Sequence, residues 1–255
     1  MSLFGKETKI AGNPRSSVKL LQHLPSEIRQ QLEIPKPVKL TKVVTKKGKD
    51  VPCTLTDWLW SMSTDQADEA LNTGFIQGIQ SGQLDPTAYG GYTVQDAVYC
   101  HNATDYHKIA EENASCDPIM SAFIHARMES YAEYTEMMFK QWYIADPTGI
   151  AMGKAAQDYS DFEKNVAKKM HPIYFLIAMT PCTRLWQWLA EQIKTGISKN
   201  NVYSFWIEAN HGGSHTLEDF VNENAEKYEV DHGKALDVYL GAMRGEVGFF
   251  TSATV

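Results

Sequence analysis

The chain has 255 residues, 43% of them hydrophobic, which is enough to bury a sizeable core in one large domain with an added segment. Residues 1–50 carry 11 Lys and Arg against 4 Asp and Glu, whereas the remaining residues carry 13 against 27. Because nucleic-acid binding depends on clustered cations that neutralise phosphates, the acidic main part argues against that class of protein.

The cysteine spacing and the N-terminal residues indicate a protein of the cytoplasm. The chain has four widely spaced cysteines and no CxxC pair. A chain of this length does not need disulfides, so reduced thiols are expected. The first residues, MSLFGKETKIAGNP, lack the apolar core of a signal peptide, and no run of about 18 apolar residues could span a bilayer. We therefore expect a soluble protein with no membrane partner.

The N-terminal part differs in character from the rest. Residues 1–37 contain four prolines between short amphipathic pieces, which predicts a basic arm that packs on the main domain in places. In residues 38–55, two β-prone runs flank a turn that contains Gly48. This pattern predicts a small hairpin, in which Pro52 confines the second run to a sheet edge.

We treat residues 1–55 as an N-terminal extension and residues 56–255 as one helical domain. Within this domain, apolar residues recur every three or four positions and β-branched runs are few. Asp-Pro pairs at 85–86 and 117–118 mark helix starts, because the carboxylate can cap the helix and the proline fits its first turn. An all-α bundle of about seven to nine helices is predicted. The predicted helices are 56–65, 66–80, 86–112, 117–144, 152–169, 172–196, 199–210, 214–227 and 231–250.

One face of the predicted helix 86–112 has mixed polarity. Tyr92, Asp96, Tyr99 and His107 fall on this face at helical spacing. Asp96 could point into the bundle and accept from an amino group of a ligand, with Tyr99 one turn away, or the face could be a surface stripe. A carboxylate that points inward needs a partner, because burying an unpaired charge is costly.

Cys182 follows Pro181 within the apolar helical run 175–188. Proline has no N–H to donate to the carbonyl of Ile177, so a kink is expected at this turn. A cysteine on such a bend, among aromatic residues, is a candidate nucleophile. The alternative is an inert core thiol.

Two further positions could belong to a site. Tyr203 and Trp206 are three residues apart and could form an aromatic wall, or they could be ordinary core residues. Glu246 precedes Phe249 and Phe250, and an apolar setting raises the pKa of a glutamate toward the range of a general acid. The alternative for Glu246 is an exposed residue near the C-terminus.

No metal site is predicted. His211 and His215 are four residues apart, but Gly212 and Gly213 would break the helix that aligns them. The chain has neither an HExxH signature nor the paired Glu-x-x-His motifs of helical di-iron sites.

Four segments together resemble the TenA/thiaminase II family, which has a haem-oxygenase-like all-α fold. They cover parts of residues 66–250 and occur in the family's order. The segments are FIQGIQSGQLDPTAYGGYTVQDAVY (75–99), PCTRLW (181–186), YSFWI (203–207) and EVGFF (246–250). The resemblance implies an aminopyrimidine aminohydrolase or thiaminase II that salvages thiamin fragments, without metal or redox cofactor, and a homo-oligomer, either dimer or tetramer.

The resemblance also implies roles for individual residues. Asp96 would hold the pyrimidine N3 and exocyclic amine, and Tyr99 would line the ring pocket. Cys182 would be the nucleophile, Tyr159 falls where the family has another pocket tyrosine, and Glu246 would donate and accept protons.

Three aromatic residues complete the implied set. Tyr203 would close the aromatic box, and Phe250 is counted among the substrate-binding residues. Trp186 stands where a further pocket tyrosine usually follows the cysteine, which removes a hydroxyl and affects substrate preference. Alternative functions are a non-catalytic member that binds a small ligand or a protein partner, a metal-dependent oxidase on the same bundle and, least favoured, a DNA-binding regulator.

Overall fold

The computed structural model describes residues 25–33, 42–46, 49–213 and 215–253. Most of the predicted arm lies outside the described residues, but its helix α1 (Ser26–Glu33) packs Ile28 against the hydrophobic core. The predicted hairpin consists of β1 (Lys42–Lys46) and β2 (Lys49–Cys53), which pair antiparallel. Its turn at residues 47–48 is also outside the described residues.

The rest of the described chain is helical, as predicted. Many helix starts carry a side-chain cap, and the predicted caps at residues 85 and 117 both accept from backbone N–H groups of the first turn. The helices are α2 (Leu55–Ser61), α3 (Thr64–Leu71), α4 (Gly74–Ser81), α5 (Pro86–Asn113), α6 (Pro118–Gln141), α7 (Lys154–Lys169), α8 (Pro172–Ile193), α9 (Ser204–Asn210), α10 (Thr216–Asn224) and α11 (His232–Ser252).

Two predicted helix boundaries were wrong. Residues 56–80, predicted as two helices, form three, because Thr73 starts a new helix by accepting from the backbone N–H of Ile76. The helix predicted over 199–210 begins only at Ser204. Asn201 holds the preceding loop, since its amide donates to the carbonyl of Ile79 at 2.8 Å and accepts from the backbone N–H of Tyr203 at 2.8 Å.

Helix α8 runs through the centre of the bundle, and most of its residues are buried. It packs against α7, α9, α10 and α11, while α5 packs along α6 and α7. Arg184 ties α8 to two other helices, because its guanidinium contacts Asp57 at 2.9 Å and the nearly buried Glu218 at 3.0 Å. None of the described helices is long and apolar enough to span a bilayer.

Pro181 does not interrupt α8, which is helical from Pro172 to Ile193. The carbonyl of Ile177, which loses its backbone donor to the proline, accepts from the hydroxyl of Thr180 at 2.7 Å. Cys182 therefore lies inside a continuous helix, and its thiol donates to the carbonyl of Met179 at 3.1 Å.

Asp117 joins the start of α6 to the segment after α10. Its carboxylate accepts from the backbone N–H of Met120, from Lys227 Nζ at 2.6 Å and from the Tyr228 hydroxyl at 2.6 Å. Burial opposes ionisation, but these hydrogen bonds outweigh it and lower the pKa of Asp117 to about 2. A lowered carboxyl pKa stabilises the fold above the pKa of the unfolded chain, and this stabilisation is lost as pH falls from about 4 to about 2.

We expect Asp117→Asn to lower the free energy of unfolding at neutral pH by about 1 kcal/mol, because asparagine keeps the cap but loses the charge that faces Lys227. The difference from the wild type should vanish near pH 2. Asp117→Ala should cost about 1 kcal/mol more, since it also removes the cap. Urea unfolding at several pH values measures both variants. If Asp117→Asn still lowers the free energy of unfolding near pH 2, the charge of Asp117 is not the cause of the loss.

Candidate active site

Asp96 lies on the buried face of α5, where it faces α6. It is nearly fully buried, and its Oδ2 accepts from the Tyr134 hydroxyl at 3.1 Å. The prediction that Asp96 points into the bundle and has a partner is therefore confirmed. Tyr134 was not singled out in the sequence, because no local pattern shows that α6 packs this residue against Asp96 of α5.

A cavity of about 250 Å³ lies beside Asp96. Most of its wall is aromatic or apolar, and among the described residues that line it Asp96 is the one Asp, Glu, Lys, Arg or His. Such a cavity favours a flat ligand that carries hydrogen-bond donors or positive charge. The lining residues are Tyr89, Tyr92, Thr93, Asp96, Tyr134, Met138, Gln141, Trp142, Trp186, Phe205, Trp206, Ala209 and Asn210.

Glu246 is fully buried and joins two of the predicted site residues. Its Oε1 accepts from the Tyr159 hydroxyl at 3.0 Å, and its Oε2 accepts from Trp186 Nε1 at 2.9 Å. The alternative of an exposed glutamate is thus wrong. Trp186 also lines the cavity, so its indole connects the cavity wall to this inner carboxylate.

The resemblance implied that Trp186 removes a hydroxyl from the site, and the structure shows that its side chain still makes a polar contact. A tyrosine hydroxyl is replaced here by an indole N–H, and this N–H donates to Glu246. A hydrogen-bond donor is therefore retained, although a tryptophan cannot accept.

Tyr99 lies behind the cavity wall and does not line it. Its hydroxyl donates to Glu163 Oε2 at 2.5 Å, and its ring stacks on Tyr159 with centroids 5.3 Å apart. Glu163 is fully buried, and it was not singled out in the sequence. Tyr99 thus contacts the pocket tyrosine implied by the resemblance, Tyr159, and does not itself line the cavity.

Tyr203 and Phe250 also support the wall from behind. The Tyr203 hydroxyl donates to the carbonyl of Leu84 at 2.7 Å, and its ring packs on Tyr89. Phe250 stacks on Tyr92, with centroids 5.7 Å apart, and packs on Trp186. The predicted aromatic wall is present, but Trp206 lines the cavity where Tyr203 does not.

Cys182 is fully buried and is not among the residues that line the cavity. It lies one helical turn before Trp186 on α8. Of the three residues expected to carry the reaction, Asp96 lines the cavity, whereas Cys182 and Glu246 are buried and are not among its lining residues.

Within the described residues, no three His, Cys, Asp or Glu side chains are grouped as a metal site requires. The two histidines considered as ligands have separate partners. His211 Nε2 lies 2.7 Å from Lys194 Nζ, and His215 Nδ1 lies 3.0 Å from Glu218 Oε2.

Gly245 allows the Tyr159 ring to pack directly on α11. A Cβ atom at Gly245 would clash with this ring, whereas a Cβ at Gly248 on the same helix would meet nothing. We expect Gly245→Ala to displace Tyr159 from Glu246 and to destabilise the fold by about 1–3 kcal/mol. Gly248→Ala is the matched control and should leave stability unchanged or slightly raised, since alanine favours helix. Equal melting temperatures for the two variants would refute the inference that Gly245 makes room for the Tyr159 ring.

The chain matches known proteins over most of its length. A model of the TENA/THI-4/PQQC family matches residues 64–247. A TenA family transcription regulator from Silicibacter sp. TM1040 has 15% identity and a TM-score of 0.64, with 78% of this chain and 96% of that chain covered. A TenA homologue from P. horikoshii OT3 has 18% identity and a TM-score of 0.65, with 79% and 98% covered.

A third similar structure is a TenA-like thiaminase candidate from Sulfolobus solfataricus P2. It has 16% identity and a TM-score of 0.58, with 78% of this chain and 95% of that chain covered. None of the curated proteins gives a match. At these identities, the likeness to solved structures establishes the fold, and any reaction must be argued from the residues of the site.

Proposed function

Because this chain belongs to the TENA/THI-4/PQQC family, we propose that it is a hydrolase of thiamin-derived aminopyrimidines with Cys182 as its nucleophile. The observation that carries the proposal is the buried Asp96 carboxylate in an aromatic cavity of about 250 Å³. Aromatic walls stack on a flat electron-poor ring, and a carboxylate accepts from an exocyclic amine. The substrate proposed first is 4-amino-5-aminomethyl-2-methylpyrimidine.

The reaction needs a nucleophile, a proton donor and an anchor for the ring. The Cys182 sulfur adds to C6 of the pyrimidine while Glu246 supplies a proton to the ring, and electrons then expel the amine from the 5-methylene carbon. The Cys182 thiol releases its proton to solvent as the sulfur adds, and the amine leaves as ammonia. Water then adds its hydroxide to the methylene carbon, the C6–S bond breaks, the departing sulfur takes up the proton that water releases, and the ring proton returns to Glu246. The products are the hydroxymethyl pyrimidine and ammonia.

Trp186 imposes a condition on this mechanism. Its indole lines the cavity and donates to Glu246, and the Cys182 thiol is buried outside the cavity lining. The ring must therefore reach past Trp186, so the proposal requires the indole to shift when substrate enters. A shift of the indole would break its hydrogen bond to Glu246, at a net cost of about 0.5–1.5 kcal/mol, and would rearrange its ring contacts with Trp206 and Phe250.

A second candidate is a non-catalytic member of the family that binds a small ligand in the same cavity. The observation that favours it is the position of Cys182, which is fully buried outside the cavity lining and already donates to the carbonyl of Met179. In this case the cavity would hold an aminopyrimidine without turnover.

Ammonia release by the purified full-length chain, incubated with the aminomethyl pyrimidine, tests the two candidates. Steady release in proportion to enzyme concentration supports the hydrolase. Calorimetric binding of the pyrimidine without ammonia release supports the second candidate. Neither binding nor release would reject both.

A further inference from the structure

Glu246 is linked to the cavity through Trp186. Its carboxylate is fully buried and accepts from the Tyr159 hydroxyl at 3.0 Å and from Trp186 Nε1 at 2.9 Å. Of these two donors, Trp186 lines the cavity and Tyr159 does not. A ligand in the cavity therefore contacts the indole directly, and the hydrogen bond from the indole joins this contact to Glu246.

The two donors differ in the form of Glu246 that they favour. An indole N–H can only donate, and a hydrogen bond to an ionised oxygen is roughly twice as strong as one between neutral groups. The bond from Trp186 therefore favours the carboxylate. The Tyr159 hydroxyl can donate to a carboxylate or accept from a carboxylic acid, so it can bond to either form.

Substrate entry changes this balance. The proposed reaction requires the indole to shift so that the ring can reach past it, and Trp186 then no longer donates to Glu246. Burial disfavours the charge of a carboxylate, so a fully buried glutamate that loses a donor shifts toward its protonated form. Glu246 then carries the proton that the ring needs when the Cys182 sulfur adds.

We propose that Trp186 couples substrate entry to protonation of Glu246, because the indole N–H holds the carboxylate form and its displacement by the ring makes Glu246 take up a proton from solvent. This proton passes to the ring and returns to Glu246 as the C6–S bond breaks. It goes back to solvent when the product leaves and the indole donates to Glu246 again. The inference rests on the proposed function and makes Trp186 a positioning residue that acts through Glu246.

Proton uptake on binding is measured by calorimetry in buffers that differ in their enthalpy of ionisation. The probe is the hydroxymethyl pyrimidine, the product of the proposed reaction, because it is not turned over. We expect wild-type uptake to approach about one proton per bound ligand in part of the range from about pH 5 to about pH 9, with Kd rising by up to about tenfold per pH unit there. Glu246→Gln should show neither uptake nor this pH dependence, because glutamine does not titrate.

Trp186→Phe and Trp188→Phe form a matched pair. Both replace an indole on α8 by a phenyl ring, but Trp188 packs on Trp60, with centroids 5.8 Å apart, and does not line the cavity. Trp186→Phe should lower the uptake to less than about half of the wild-type value, because Glu246 then lacks the indole donor before the ligand binds. Trp188→Phe should leave the uptake unchanged.

Circular dichroism shows whether both variants fold. Trp186→Tyr is a second variant at the same position. Its hydroxyl can bond to either form of Glu246, so it should also lower the uptake. A Kd that Trp186→Phe raises equally at every pH, with full uptake, would show that Trp186 only packs on the ligand and would overturn the inference. Uptake that persists in Glu246→Gln would overturn it too.

Ammonia release, measured separately with the aminomethyl pyrimidine, distinguishes the two proposals. Release without proton uptake in the wild type would overturn the inference and leave the hydrolase proposal standing. Uptake that is lost in Glu246→Gln and lowered in Trp186→Phe, without ammonia release, would support the inference and reject the hydrolase. If the wild type does not bind the probe, the inference is wrong.

Discussion

Cys182→Ala is expected to reduce ammonia release from the aminomethyl pyrimidine by about 10³-fold or more, because removal of a nucleophile ends covalent catalysis. The variant should still bind the pyrimidine, since Cys182 is not part of the cavity lining. Its fold should be retained, with a loss of about 1 kcal/mol for the small void. Ammonia assays and calorimetry on the same preparations measure both effects.

Cys100→Ala is the matched control for Cys182→Ala. Cys100 is also fully buried, but it lies on α5 outside the cavity lining and has no role in the proposed reaction. It should lose a similar amount of stability and keep wild-type turnover. If Cys182→Ala releases ammonia as fast as Cys100→Ala, the proposed nucleophile is wrong.

Glu246→Gln is expected to lower kcat by about 10²- to 10⁴-fold, the usual contribution of a positioned general acid and base. A glutamine cannot carry the proton. It can also accept at only one oxygen, so either Tyr159 or Trp186 would face the amide N–H₂ group. Loss of a buried acceptor should cost about 1–3 kcal/mol of stability as well.

Asp237→Asn provides the control for the charge change on α11. Asp237 is exposed on the same helix and should show wild-type kcat and stability. Steady-state kinetics over a range of pH adds a second readout, because removal of the acid and base should flatten the profile. A Glu246→Gln variant with full kcat and an unchanged pH profile would exclude Glu246 from proton transfer.

Most helix starts could be predicted because their signals are local. Asp85 and Asp117 each cap a helix through backbone N–H groups two or three residues ahead, and the proline that follows fits the first turn. The break at Thr73 was missed because a threonine cap before a glycine gives a weaker signal than an Asp-Pro pair. The resemblance to the TenA/thiaminase II family, based on four segments, is confirmed by the family match.

The site was predicted less completely than the fold. Asp96 and Trp186 line the cavity, whereas Cys182, Glu246 and Tyr159 are buried and do not line it. A kink was expected at Pro181; α8 is helical through this position, and the Thr180 hydroxyl satisfies the carbonyl that the proline leaves without a backbone donor. Such compensation depends on a side-chain rotamer, which a hydrophobic pattern does not encode.

The sequence by itself determined the helical class, many of the helix starts and the types of residue available for chemistry, because backbone hydrogen bonds and caps involve neighbours in the chain. Only the tertiary structure decided the partners of Glu246, since Tyr159 and Trp186 are 87 and 60 residues away. It likewise decided that the Tyr134 hydroxyl, 38 residues away in the chain, donates to the Asp96 carboxylate. These contacts arise where helices that are distant in sequence pack together, so the local periodicity of the sequence cannot predict them.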